Sequence, residues 1–157
     1  MTTPLKKTIL TDADYEHMSW HDVVVHGLLV HPEKWEIILD IDYILEWFEP
    51  ETSGVPYSFS IAPATLIFHD VNGLEINYQF MVLPLQILSI VRENPRKIPG
   101  RNLTEWQWNL HLVEGGIGFK ATGFSQYFRN HPTKSSTGYL EPTLRGGLCF
   151  DRTSKSK

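Results

Sequence analysis

The stretch from Trp35 to Trp47 constrains this chain most. Ile37, Leu39, Ile41, Tyr43, Leu45 and Trp47 recur at every second position, and a β-strand sends alternate side chains to opposite faces. Glu36, Asp40, Asp42 and Glu46 share the other parity with Ile38 and Ile44. The pattern predicts a long strand with one apolar face turned to a core and one acidic face turned to water. A sheet with one buried face follows from it. A reaction does not.

The rest of the chain repeats the β theme. Trp20–His31 centres on the β-branched run Val23-Val24-Val25, and the turn His31-Pro-Glu-Lys34 joins it to the acidic strand, so residues 20–48 read as one long hairpin. Residues 50–56 are a loop. Tyr57–Ile61 and Ala64–His69 read as strands separated by Pro63. The Asn72-Gly73 turn signal leads into Leu74, Ile76, Tyr78 and Phe80, which alternate with Glu75, Asn77 and Gln79. Leu85–Val91 fits a strand or a helical turn equally well. Trp106, Trp108, Leu110 and Leu112 alternate with Glu105, Gln107, Asn109 and His111, and Glu114-Gly-Gly116 turns the chain into Ile117, Phe119 and Ala121. At the start, residues 1–10 form a lead-in, and Thr11 with Asp14 has the spacing of a capping box, predicting a short helix over 12–18. Residues 129–147, rich in Pro, Gly, Ser and Thr, read as loop. The expectation is one mainly β domain over 10–150, an antiparallel sandwich or strongly curled sheet with a short N-terminal helix, followed by a flexible tail over 151–157.

Composition bounds the function. A chain of 157 residues, 41% hydrophobic and 20% charged, can bury a core without staples. The lone cysteine, Cys149, forms no intrachain disulfide, and it suits a reducing cytoplasm. No apolar run reaches signal-peptide or membrane-spanning length. A net charge of −4 with scattered Lys and Arg argues against nucleic acid. The one basic cluster, Arg92–Arg101, holds Pro95, Pro99 and Gly100 and reads as a solvated loop.

Three constellations could carry chemistry. If residues 20–48 pair as a hairpin, His26 lies near Leu39 or Asp40, and His21 or Asp22 near Ile44, with loop length setting the register. One register clusters His26, Asp40 and Asp42 as an N/O metal site. The plainer alternative is a set of cross-strand charge pairs on a wetted face. Glu105, Gln107, Asn109 and His111 form a second polar row, which any exposed strand face needs; as a binding surface it would be rimmed by aromatics such as Phe124 and Tyr127. The five tryptophans belong first to the core and only secondarily to a ligand platform. Cys149, between Leu148 and Phe150, sits in an apolar setting that blunts a thiol. No Gly-x-Ser-x-Gly elbow, P-loop or dinucleotide fingerprint is present, and Gly115-Gly-Ile-Gly118 lies between strands, so no cofactor is expected.

Trp-His-Asp-x-x-Val-His-Gly at 20–27, Leu-Asp-Ile-Asp-Tyr-Ile-x-x-Trp at 39–47 and Ala-Pro-Ala-Thr-Leu-x-Phe at 62–68 resemble a family of small bacterial proteins of unassigned function. Gly-Phe-x-Gln-Tyr-x-Arg at 123–129 and the Arg-Gly-Gly at 145–147 are similar to it as well. The size and style also resemble immunity proteins that neutralise bacterial toxins. The resemblance implies no catalytic residues. The leading expectation is therefore a non-enzymatic bacterial protein that binds a protein partner through Asp40, Asp42, Glu46 and His26, an acidic face suited to a basic enzyme site. The alternative is a metal-dependent enzyme or metal-binding protein using His26, Asp40 and Asp42. A small-molecule or sugar binder with an aromatic-lined pocket ranks third.

Overall fold

The computed structural model describes residues 4–79 and 84–154. Strands β1 (Ile9–Thr11), β2 (Val23–His31), β3 (Glu36–Phe48), β4 (Ser58–His69), β5 (Asn72–Tyr78), β6 (Leu85–Lys97), β7 (Thr104–Leu112), β8 (Gly115–Ala121), β9 (Gly123–Phe128) and β10 (Thr133–Ser135) are followed by one helical turn, α1 (Pro142–Arg145). All pair antiparallel in one sheet of order β1-β9-β4-β3-β2-β6-β7-β8-β5, with β10 also on β4. The sheet does not close.

Its connections force it to bend. Two residues separate β4 from β5, and Thr122 alone separates β8 from β9, yet each pair lies six places apart in the sheet order. Six strand spacings would span about 29 Å if the sheet were flat, whereas three Cα–Cα steps reach at most about 11 Å. The sheet therefore folds over, bringing β4 and β9 against β7 and β8. Phe68 of β4 meets Trp108 of β7 at 5.1 Å and Phe119 of β8 at 4.8 Å between ring centroids. Trp20, Tyr43, Phe124 and Phe128 extend this aromatic core. At the bend Asp70 takes a left-handed φ of 53°. Its carboxylate accepts the Thr122 hydroxyl at 2.6 Å, which ties the two corners together.

Local chemistry explains most element boundaries. Pro63 lies inside β4, where its missing N–H falls between the segment that pairs with β10 and the segment that pairs with β9. The ambiguous Leu85–Val91 run is strand, and β6 continues into the basic cluster as far as Lys97. The short helix expected over 12–18 is reduced to a 3-10 turn, Asp12–His17. Asp14 accepts the Thr11 N–H at 2.9 Å as the spacing predicts, but six residues with none fully buried give an α-helix little to pack against. Between β7 and β8, a Cβ on Gly115 would lie 2.0 Å from the Asn77 carbonyl oxygen of β5, so only glycine permits that approach. The expected alternation of Leu74, Ile76 and Tyr78 falls within β5; Phe80 lies outside the described residues.

Candidate functional site

The acidic row of β3 is not wetted. Asp40 and Asp42 are fully buried, and Glu36 is 7% exposed. Ile38 and Ile44 on the same parity are buried too. The residues that cover them come from the segment 139–152, which runs over the outer face of β2, β3 and β4 as a strap. The expectation of a solvent-facing Asp40–Asp42 docking surface is corrected on this point: both faces of β3 are covered.

The strap is fastened by arginine. Arg145, 5% exposed at the end of α1, donates from Nη1 and Nη2 to the two oxygens of Asp40, at 2.9 and 2.6 Å, and from Nε to Asp42 at 3.1 Å. Arg129, just after β9, donates from Nη2 to Asp40 at 2.6 Å and from Nη1 to the Thr65 hydroxyl at 2.7 Å. Thr65 in turn donates to the Asp151 carbonyl. The Cys149 N–H donates to Asp40 and the Leu140 N–H to Asp42. Arg152 reaches Glu36. A guanidinium presents a planar fork of donors, so a single side chain can serve both carboxylates. Burial works against charge on Asp42, but the His26 bond, the Leu140 N–H and the nearby charges outweigh it, and its pKa lies below the ordinary value. Burial also opposes charge on Arg145, yet the two aspartates hold its pKa above the usual one.

His26 occupies a bulge. Val25 faces Ile41 and Gly27 faces Asp40, leaving His26 as the extra residue. Its Nε2 lies 2.7 Å from Asp42 Oδ2, with the side chain 24% exposed. The structure thus joins His26 to Asp42, while Asp40 is bound by arginines. This donor set does not fit a divalent cation, because both carboxylates are filled by guanidinium and amide donors and Arg145 would face the ion. Among the described residues no group of three His, Cys, Asp or Glu side chains is placed to hold a metal.

Glu46 and the two tryptophans that flank the strand behave differently. Between Ile44 and Glu46 the register slips by one at Leu45. Beyond the bulge Trp47, expected in the core, is 44% exposed. It packs on Phe59 at 4.8 Å and Tyr57 at 6.4 Å, and His21 stacks over it at 6.3 Å. Tyr57 is 47% exposed, and Glu46 is half-buried beside this cluster. Trp35, which takes a left-handed φ of 57°, is 63% exposed. Asp22 begins the approach to β2 at a φ of 63° and lies 3.7 Å from His21.

The second polar row is a ladder of side-chain bonds. Glu105 binds Asn72 and Arg96, both at 3.1 Å, and Asn109 donates to Glu93. Of the aromatics expected at its rim, Phe124 is core and Tyr127 is half-buried, both on β9. Arg92 belongs to no solvated loop: it lies 4.3 Å from the ring centres of both Tyr15 and Trp106 and bonds Asp12 at 2.9 Å. A third polar group lies on the strap side of the sheet: His69 meets Ser125 of β9 through Nε2 at 2.9 Å and Glu36 through Nδ1 at 3.4 Å.

Sequence reasoning missed Arg145, Arg129, Arg152, His69 and Ser125. Arg129 and Arg145 lie in the Gly-Phe-x-Gln-Tyr-x-Arg stretch at 123–129 and the Arg-Gly-Gly at 145–147, but nothing in their spacing points to partners about a hundred residues away. No protein-family model, curated protein or solved structure matches this chain.

Proposed function

We propose that this protein acts by binding another protein through the aromatic cluster of Trp47, Tyr57, Phe59 and His21, in the manner of a bacterial immunity protein that neutralises a toxin. The observation that carries the reading is a tryptophan and a tyrosine left about half exposed in contact with each other, outside a core that absorbs Trp20 and Trp108. Tryptophan and tyrosine are enriched among the residues that dominate binding energy at protein interfaces. Glu46, Glu49 and Glu51 border the cluster in sequence, which suits a partner with a basic surface and speeds encounter with it. Of the acids first considered, Glu46 keeps a role in docking, whereas Asp40 and Asp42 hold the strap.

Affinity capture from bacterial lysate tests this, with wild type set beside Trp47→Ala/Tyr57→Ala and Glu46→Gln. The aromatic variant should lose a stoichiometric partner that wild type retains, with its melting temperature little changed. Glu46→Gln should weaken capture chiefly at low salt. Equal capture by wild type and the aromatic variant would remove this face from the interaction. A captured partner that is not toxic on its own would remove the immunity role.

A further inference from the structure

We propose a second activity: Ser125, His69 and Glu36 form a nucleophilic relay that takes an acyl group from activated esters. Three strands contribute one member each, and those strands, β9, β4 and β3, are consecutive neighbours in the sheet. Ser125 Oγ lies 2.9 Å from His69 Nε2, and His69 Nδ1 lies 3.4 Å from Glu36 Oε2. With the proton on Nδ1 turned to Glu36, Nε2 is free to accept the serine proton. That is the order of roles any serine nucleophile requires: hydroxyl, base, and a carboxylate that fixes the tautomer.

The charges around the imidazole suit the role. Burial works against charge on Glu36, but its bond to Arg152, the charge of Arg152 and His69 outweigh this, and it titrates below the ordinary value. Glu36 therefore stays ionised beside an imidazolium. Asp12, bound to Arg92, also acts on His69 electrostatically. His69 keeps 34% of its side chain exposed and Ser125 is half-buried, so a small electrophile can reach the pair.

The backbone sets the substrate class. Around Ser125, β9 lies between β1 and β4, so its N–H groups are spent in the two ladders and none is left for a developing oxyanion. Preorganised donors of that kind are worth about a hundred- to a thousand-fold in rate. Without them the relay serves esters whose leaving group departs readily, such as aryl esters of short acids, and not amides. Ser125 Oγ attacks the carbonyl carbon as its proton passes to His69 Nε2. The bond to the aryl oxygen breaks, the phenolate takes that proton, and an O-acyl serine remains. Water, deprotonated by the same imidazole, then releases the acid and restores the hydroxyl. Ser125 and His69 are the catalytic residues, and Glu36 is a positioning residue.

The test is p-nitrophenyl acetate with the intact protein, followed by peptide mapping of the acetyl group under acid quench. One acetyl at Ser125 is expected, absent in Ser125→Ala and formed at least about a hundred-fold more slowly in His69→Gln. Glu36→Gln should slow labelling, and Glu36→Asp should restore part of the rate, a rescue that a merely structural role would not give. In Ser125→Cys, iodoacetamide should modify residue 125 faster than Cys149, and His69→Gln should remove that advantage. Wild-type acetylation confined to lysines or the amino terminus, which needs no variant to fold, would overturn the proposal. So would labelling of Ser125 at the same rate in His69→Gln.

Discussion

At the scale of single residues, the burial of Asp40 and Asp42 turns a charged pair of side chains into a matter of partners. Removing one side of a buried ion pair is far more damaging than removing both, because the remaining charge loses water and partner together. Arg145→Ala strips Asp40 of two bonds and Asp42 of one and should cost about 3–5 kcal/mol in urea unfolding. Asp42 also gives stability a sign in pH. Its folded pKa is depressed, so its contribution is fully present above the unfolded carboxylate range, near 3.9, and is lost as pH falls below that range through the folded value. Glu36 and Glu105 act in the same direction. Asp12 acts in the other, since burial raises its pKa and its charge opposes folding once ionised. Unfolding free energy measured from pH 6 down to pH 3 should therefore decline, and Asp42→Asn should flatten the decline while lowering stability at pH 6. An unchanged slope would mean that Asp42 is not the group being titrated.

Among the elements, β3 shows how much a periodic pattern reveals and where it stops. Its strand state and the inward face of Ile37, Leu39, Ile41 and Tyr43 were legible, because period two admits no other reading for so long a run. Ile41→Ala, at a fully buried position, should cost about 2–5 kcal/mol by calorimetry or denaturant. The other face was not legible. Alternation with acids normally marks water, and burial is made tolerable here by His26 of the bulge together with the long-range arrival of Arg129, Arg145, Arg152 and the Leu140 and Cys149 N–H groups. The fate of Trp47 was hidden in the bulge at Leu45, which changes the parity without leaving a sequence mark. The strap was equally opaque, since 139–152 overlaps a stretch of loop composition and an expected tail, and its order comes from what it covers. Gly27 offers a direct probe of it: a Cβ there would lie 2.4 Å from Leu148 Cδ1 and 2.9 Å from Phe150 Cζ. Gly27→Val should push those side chains outward at a cost of about 1–3 kcal/mol. Limited proteolysis should then cut within 141–152 sooner than in wild type, with the early product lacking only the C-terminal segment. Identical cleavage kinetics would show that the strap tolerates the added methyls by repacking in place.

For the whole molecule, the decisive feature is the fold-over of one sheet at two adjacent corners. The rings that meet across it, Phe68, Trp108, Phe119 and Phe124, come from β4, β7, β8 and β9, so neither half of the sheet owns a core of its own. The corner depends on two separable properties of Asp70: a left-handed backbone, and a carboxylate that accepts the Thr122 hydroxyl. Asp70→Gly keeps the first and removes the second, and should cost about 1 kcal/mol, the net worth of one such bond. Asp70→Val removes the bond and puts a β-branched residue in a region that such side chains avoid, adding a further 1–2 kcal/mol or so. Thr122→Val should match Asp70→Gly, and the pair combined should cost little more than either alone, because both delete the same contact. The comparison is made by urea unfolding followed at once by tryptophan fluorescence, in which the buried Trp20 and Trp108 report loss of the shared core, and by far-ultraviolet circular dichroism, which senses the sheet. A single core shared by both halves requires the two signals to fall together in every variant. Separate transitions, with circular dichroism outlasting fluorescence in Asp70→Val, would show that one half of the sheet stands without the other and that the corner is an ornament to the fold, not its hinge.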